Sequence, residues 1–141
     1  MYFELRMEPP TTTAQMHKVG IRNGKPYFYD PPAVREARQK LMAYLAKYRP
    51  MEPMEGPLHL GVSWLYSIKG KHRHGEYRDG KPDTDNLQKL LKDCMTALGF
   101  WKDDSQVAIE YVQKMWTEKI PGICIILEKI EQDGAPYNVD L

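Results

Sequence analysis

The residues most able to do chemistry are acidic side chains at the two ends of one predicted helix. The run Lys81-Pro82-Asp83-Thr84-Asp85-Asn86-Leu87-Gln88-Lys89 opens the helix, and Asp103-Asp104-Ser105 follows it. Carboxylates gathered near one lysine are what a Mg²⁺-dependent hydrolysis of phosphodiester bonds requires, because oxygen ligands hold the ion and a metal-activated water attacks phosphorus. The leading interpretation is therefore a small metal-dependent nuclease.

The spacing of these residues indicates a shared metal site. Asp83 and Asp85 are two residues apart, so in extended backbone their carboxylates leave on the same face and together attract a cation. Asp104 lies at the head of the next predicted strand, and we expect it to converge on the first pair. Lys89 falls one helical turn after Asp85 and away from the apolar stripe, where it can stabilise charge developing on phosphoryl oxygens.

The same residues also have a purely structural interpretation. Aspartates before a helix commonly act as N-caps, and Asp85 with Lys89 has the spacing of an ordinary i, i+4 ion pair. A calcium-binding loop is excluded, because Leu87 occupies a ligand position and no glycine follows it. Phe100-Trp101 is predicted to be a core or hinge contact, with stacking on an unpaired base as a possible second role.

A basic loop, residues 69–81, runs directly into the acidic motif. Against two carboxylates, Glu76 and Asp79, it carries five cationic side chains: Lys69, Lys71, Arg73, Arg78 and Lys81. A solvated surface loop is one interpretation, and a loop that grips DNA phosphates beside the active site is the other. Its adjacency to the carboxylates favours DNA binding.

Composition limits the class of protein. At 141 residues, with 42% hydrophobic and 28% charged residues, the chain has the size and composition of one globular domain. Its net charge of +1 gives no overall attraction to nucleic acid. No apolar run approaches the roughly 18–20 residues of a membrane span, and the N-terminal residues lack the pattern of a signal peptide. Cys94 and Cys124 fall inside apolar patterns, which predicts reduced thiols in a cytoplasmic protein without membrane contact.

Hydrophobic periodicity predicts the element order β, ββ, α, β, α, β, β. The predicted elements are a strand over 1–7, a hairpin over 19–29 around Asn23-Gly24, a helix from an Asp30 N-cap to Pro50, a strand over 58–66, a helix from near Asp85 to Gly99, and strands over 107–111 and 123–130. This order predicts an α/β fold: one mixed β-sheet with two main helices packed on it. Residues 1–130 would form the single domain and residues 131–141 a polar C-terminal tail.

The central third of the chain resembles the RusA family of Holliday junction resolvases. The resemblance is carried by Asp-x-Asp-Asn-Leu-x-Lys at residues 83–89, a helix of fixed length, and Asp-Asp-x-Gln-Val at residues 103–107, which follows Ala97-Leu98-Gly99-Phe100-Trp101-Lys102. Outside this part the order of elements agrees, and Gly24-Lys25-Pro26 before the first helix is the best residue match. The best-known family member is richer in arginine where this chain has Arg78-Asp79-Gly80-Lys81.

The resemblance implies a RusA-like fold and a crossover junction endodeoxyribonuclease of DNA recombination and repair, often carried by phages and prophages. It further implies a homodimer that acts on four-way junctions with Mg²⁺, for which Mn²⁺ can substitute. Carried over by position, Asp83, Asp85 and Asp104 would be metal-binding and catalytic, Lys89 the catalytic lysine, and Asp103 an accessory acidic group. Two alternatives remain open: a less selective nuclease for flaps or branched DNA, and a non-catalytic DNA-binding module.

Overall fold

The computed structural model describes residues 1–13, 18–29 and 31–132 of the chain. Within these residues the predicted order of strands and helices is confirmed: β1 (Tyr2–Leu5), β2 (Lys18–Arg22), β3 (Lys25–Tyr29), α1 (Pro32–Leu45), β4 (Leu58–Ser67), α2 (Thr84–Ala97), β5 (Val107–Thr117) and β6 (Gly122–Lys129). Two short 3-10 helices complete the order, one after α1 (Ala46–Tyr48) and one before β5 (Asp104–Gln106).

The main sheet is mixed and has the strand order β1-β6-β4-β5. β4 pairs with β5 in parallel, whereas β1 with β6 and β4 with β6 are antiparallel. Two helices accompany this sheet, so the predicted α/β class is confirmed. The parallel pair follows from the connection, because α2 carries the chain from the end of β4 back to the start of β5.

The hairpin of β2 and β3 forms its own two-stranded sheet, so the prediction that all strands join one sheet is wrong for these two. Its turn is as predicted, with Asn23 at φ 52° and Gly24 at φ 75°. The apolar side chains of β2 do not reach the core, since Val19 is 59% and Ile21 79% exposed.

The core lies between one face of the main sheet and the two helices. Alternate residues of β4 point into it, and the apolar stripe of α2 packs against them. The buried hydrophobic side chains of these two elements are Leu58, Leu60, Val62, Trp64, Tyr66, Leu87, Leu90, Leu91, Cys94 and Met95. α1 adds Val34, Leu41 and Leu45. Phe100 and Trp101 are also buried, which confirms the predicted core contact and leaves neither ring open to a base.

Some element boundaries differ from the prediction. α1 has Pro31 at its N-cap position, and Asp30, the predicted cap, lies outside the described residues. β5 continues to Thr117 instead of ending at Tyr111, because its parallel ladder with β4 extends to Ser67. Residues 133–141, most of the predicted polar tail, also lie outside the described part of the chain.

Two further expectations concern the cysteines and the membrane. Cys94 is buried and Cys124 half-buried, and both thiols are free; burial raises the pKa of the Cys94 thiol to about 11. Among the helices of residues 1–13, 18–29 and 31–132, none combines the length and apolar character needed to cross a bilayer.

A line of polar contacts links α2 to the sheet through the core. The indole Nε1 of Trp64 donates to Oε1 of Gln88 at 2.8 Å, and Nε2 of Gln88 donates to Oε2 of Glu110 at 3.1 Å. Gln88 is only 2% exposed and Trp64 is fully buried, so the Gln88 amide replaces water as the acceptor for the indole N–H. Lys92 closes the line with an ion pair to Glu110 at 3.3 Å.

We expect Gln88→Leu to lower the free energy of unfolding by about 1–3 kcal/mol, because it leaves the buried Trp64 N–H without an acceptor. The measurement is urea unfolding of the wild type, Gln88→Leu, Trp64→Phe and the double variant. Since Trp64→Phe removes the donor, Gln88→Leu should cost less in that background. Strictly additive changes would contradict the coupling of the two side chains.

Candidate active site

Asp83 and Asp85 lie at the N-terminus of α2 and are exposed. Asp83 occupies the N-cap position, with φ −68° and ψ 154°, yet its carboxylate makes no capping hydrogen bond. Asp85 falls in the first turn, where the unpaired N–H groups of a helix favour negative charge. The structural interpretation of Asp83 as a side-chain cap is therefore wrong, and its oxygens remain available to a ligand.

Lys89 lies on the exposed side of α2. Its Nζ is 3.4 Å from Oδ2 of Asp93, and its side chain is 57% exposed. The i, i+4 pair that the sequence predicted with Asp85 is instead made with Asp93, one turn further along the helix. An exposed pair of this kind contributes little to stability, so Lys89 can exchange Asp93 for another anion.

Asp103 and Asp104 lie at the short 3-10 helix that precedes β5. Oδ1 of Asp103 accepts from the Ser105 N–H at 2.8 Å, and the Gln106 side chain accepts from the Asp103 N–H at 3.2 Å. This capping box lowers the pKa of Asp103, chiefly through the Ser105 backbone hydrogen bond. Asp103 thus has a visible structural role, and its accessory acidic role stays a prediction.

Asp104 lines a shallow surface pocket at the opposite end of α2 from Asp83. The pocket is shared with three residues of the C-terminal half of the helix, Asp93, Thr96 and Ala97. α2 has 14 residues, so the two ends are separated by about 20 Å of helix. Among the residues that the structure describes, no group of three or more His, Cys, Asp or Glu side chains could hold a metal ion. The expected convergence of Asp104 on Asp83 and Asp85 within one chain is therefore wrong; their assignment as metal ligands stays a prediction.

The basic loop follows the outer edge of β5. The Gly75 N–H donates to the Trp116 carbonyl, the Trp116 N–H to the Glu76 carbonyl, and the Arg78 N–H to the Lys114 carbonyl, each at 2.9 Å. These bonds place the loop beside the N-terminus of α2. The predicted DNA-binding loop and the predicted acidic motif therefore share one edge of the molecule.

Aromatic side chains hold the base of the basic loop. The Arg78 guanidinium lies over the Tyr66 ring, 4.1 Å from its centroid, and 5.2 Å from that of Trp116. His72 stacks on Trp116 with centroids 4.4 Å apart. Arg78 is half-buried and anchors the loop, whereas the other four predicted DNA contacts are exposed: Lys69, Lys71, Arg73 and Lys81.

One residue near the acidic motif was not predicted. Lys114, on β5, donates from Nζ to the carbonyl oxygens of Gly80 and Pro82, the latter at 2.7 Å. Burial, and then the Arg78 charge, lower the pKa of Lys114, while Asp83 and Asp79 raise it. The sequence signal was a lysine in the middle of a strand, and it was missed because the strand was predicted to end at Tyr111.

Comparison with known proteins decides the family. A model of the family described as Endodeoxyribonuclease RusA matches residues 8–128. The chain belongs to the RusA family. It is 37% identical over 119 residues to the crossover junction endodeoxyribonuclease rusA of Lactococcus phage r1t, which covers 83% of this chain and 89% of that protein. It is also 30% identical over 121 residues to the uncharacterized protein YqaN of Bacillus subtilis (strain 168), covering 78% and 84% of the two chains. The RusA match includes both acidic motifs, so the resemblance is confirmed.

The cap of Asp103 gives this RusA-family chain a testable pH dependence. A carboxylate with a lowered folded-state pKa stabilises the fold above its unfolded pKa of about 3.9, and the contribution is lost as the pH falls through that value and below. We expect Asp103→Ala to lower the melting temperature at neutral pH, and the deficit to shrink in acid.

Asp103→Asn is the matched control, because its amide oxygen can still accept the Ser105 N–H without a charge. It should melt between the wild type and Asp103→Ala at neutral pH, and approach the wild type in acid. Melting curves by circular dichroism across the acidic range measure both. A deficit for Asp103→Ala that is independent of pH would contradict the charged cap.

Proposed function

We propose that this RusA-family chain is a structure-selective DNA endonuclease that resolves four-way junctions by paired phosphodiester hydrolysis in recombination and repair. The observation that carries the proposal is the family match over residues 8–128, which spans both acidic motifs. The phage relative of 37% identity is named a crossover junction endodeoxyribonuclease. Two exposed carboxylates beside an exposed basic loop support the same activity.

Membership of this nuclease family implies a divalent metal, and we propose Mg²⁺, with Mn²⁺ as a substitute. Asp83 and Asp85 would hold it, and both fit, since they are exposed and Asp83 makes no capping hydrogen bond. Mg²⁺ prefers carboxylate oxygens and is usually held by one or two of them, with water and phosphate completing its shell. When bound, it supplies a water of lowered pKa and neutralises charge on the scissile phosphate.

The remaining work falls to side chains of the protein. The exposed cations of the basic loop bind backbone phosphates on the arms of the junction. Lys89 releases Asp93 and donates to a phosphoryl oxygen, where it offsets charge that develops during hydrolysis. The free N–H groups at the start of α2 add a partial positive charge at the same end of the helix.

A homodimer offers a route for Asp104 to reach the other carboxylates. The backbone edge of β5 that points away from β4 is unpaired at residues 107–113, because in the described part of the chain the basic loop pairs with this edge only at residues 114–116. Antiparallel pairing of this edge with a second copy would run the two α2 helices in opposite directions. Asp104 of each copy would then approach Asp83 and Asp85 of the other, so we propose that each site draws on both chains.

The two-fold symmetry of such a dimer suits its substrate. A four-way junction is resolved by paired cuts in strands of like polarity, and its geometry is close to two-fold symmetric. An isologous dimer presents two identical sites related by the same symmetry. Exposed Ile109 and Tyr111 on β5 supply apolar surface at the proposed contact.

We expect Asp85→Asn to bind a synthetic four-way junction like the wild type and to lose nearly all cleavage, because the variant keeps the basic loop but not the metal-binding charge. Binding is measured by gel shift in EDTA and cleavage by product strands in Mg²⁺. Glu128→Gln, which removes an exposed carboxylate on β6, is the matched control and should cut normally.

Other results of the same assay would contradict parts of the proposal. Full nicking by Asp85→Asn would remove this aspartate from the mechanism. Equal cleavage of four-way, three-way and linear duplexes would indicate a less selective nuclease. Unchanged DNA binding in EDTA with no cleavage by the wild type in Mg²⁺ would indicate a non-catalytic DNA-binding module.

A site shared between two chains can be tested by mixing two inactive variants. Asp85→Asn and Asp104→Asn each damage both sites of their own homodimer. In a heterodimer of the two, one site carries both changes and the other carries none. We therefore expect co-expression with two affinity tags to restore nicking of the junction, without paired cuts.

The control for the mixing experiment is a heterodimer of Asp83→Asn with Asp85→Asn. Each of its sites contains one damaged carboxylate, so it should stay inactive. If the Asp85→Asn and Asp104→Asn heterodimer also stays inactive, the proposal that each site draws on both chains is wrong, although the endonuclease activity itself can still hold.

A further inference from the structure

We propose that Lys114 is a positioning residue, which fixes the turn that carries Asp83 by hydrogen bonding to the backbone of that turn. The proposal assigns Lys114 to a site that its own sequence position, 31 residues after Asp83, does not suggest. Its effect on the turn can be measured without any activity, and its effect on cleavage rests on the function proposed above.

The side-chain hydrogen bonds of Lys114 meet at the turn before α2. Its Nζ donates to the carbonyl oxygens of Gly80 and Pro82, the latter at 2.7 Å, and its backbone carbonyl accepts from the Arg78 N–H at 2.9 Å. Pro82 directly precedes Asp83, so the clamped carbonyl belongs to the peptide unit that leads into the aspartate. An ammonium has three donors, and two of them are spent on these backbone groups.

The turn has few other restraints. The ladder between the basic loop and β5 ends at Arg78, and the first backbone bond of α2 is from the Leu87 N–H to the Asp83 carbonyl at 3.1 Å. Across the described residues, the only other hydrogen bond to the carbonyls of residues 79–82 is from Arg78 Nη1 to Gly80 at 3.2 Å. Arg78 and Lys114 therefore both connect this turn to the sheet, and Lys114 makes the connection to the Pro82 carbonyl, next to Asp83.

The positive charge of Lys114 would affect metal binding in the opposite direction to its hydrogen bonds. Its charge lies close to Asp83 and Asp79, and an ammonium repels a cation bound at Asp83. If charge alone mattered, removing Lys114 would strengthen metal binding. If Lys114 acts by holding the turn, its removal weakens metal binding, because the carboxylate must then be ordered when the metal arrives.

The test uses the full chain with Lys114→Met, Lys114→Arg and, as a matched control, Lys129→Met, which removes an exposed lysine on β6. Mn²⁺ affinity is measured on the protein without DNA. Hydrogen exchange of the Arg78 and Leu87 amides, whose hydrogen bonds flank the turn, is measured without metal. Junction binding and cleavage are then measured separately as the Mn²⁺ concentration is varied.

We expect Lys114→Met to weaken Mn²⁺ affinity by about 10-fold to 100-fold, the range for groups that orient metal ligands. Exchange of the Arg78 and Leu87 amides should quicken, and the Mn²⁺ concentration for half-maximal cleavage should rise, while junction binding in EDTA stays unchanged. Lys114→Arg should recover most of each loss, because a guanidinium can also donate to two carbonyls. Lys129→Met should behave as the wild type.

Unchanged or tighter Mn²⁺ binding by Lys114→Met, or unchanged amide exchange, would overturn the positioning role. If Lys114→Met does not fold, Lys114→Gln takes its place, since it keeps a donor but loses the charge and reach. If the wild type neither binds Mn²⁺ nor cuts the junction, the proposed function fails. The exchange comparison then still decides whether Lys114 holds the turn.

Discussion

The parallel pairing of β4 with β5 is the constraint on which the candidate site depends. Parallel neighbours need a crossover, and here α2 provides it by running opposite to both strands. The contact of Lys114 with Pro82 marks one end of the helix, and the pocket of Asp104 marks the other. Residues that flank the helix in sequence must therefore lie at opposite ends of the strands.

This constraint also explains which parts of the molecule come together. The basic loop, Asp83 and Asp85 all follow the carboxyl end of β4. Open α/β sheets usually bind their ligands at the carboxyl ends of the strands. The loop also lies at the carboxyl end of β5, because it pairs with residues 114–116 of that strand. Asp104 lies at the other end of the strands, and in the proposed dimer it is the reversed helix of the second chain that would bring Asp104 to Asp83 and Asp85.

Much of the fold could be predicted because its signals are local. The alternation of β4, the apolar stripe of α2 and the Asn23-Gly24 turn each depend on a few neighbouring residues. The place of Asp104 depends on the relative direction of β4 and β5, which the local pattern of neither strand shows. The order strand, helix, strand does indicate a parallel pair, and from it the position of Asp104 could have been predicted. Lys114 was missed for a related reason: its partners, Gly80 and Pro82, are distant in sequence and contribute only backbone oxygens.

Asp83 and Asp103 show how the same residue type is used in two ways. Both occupy the N-cap position of a helix, yet only Asp103 accepts a backbone N–H with its carboxylate. A helix whose cap makes no such bond forgoes stabilisation of about 1 kcal/mol. Natural proteins tend to keep a local deficit of this kind where function needs the group free. A metal ligand needs oxygen lone pairs that no N–H has taken, so the unused cap of Asp83 favours a ligand-binding role at this end of α2, and the satisfied cap of Asp103 favours a structural one.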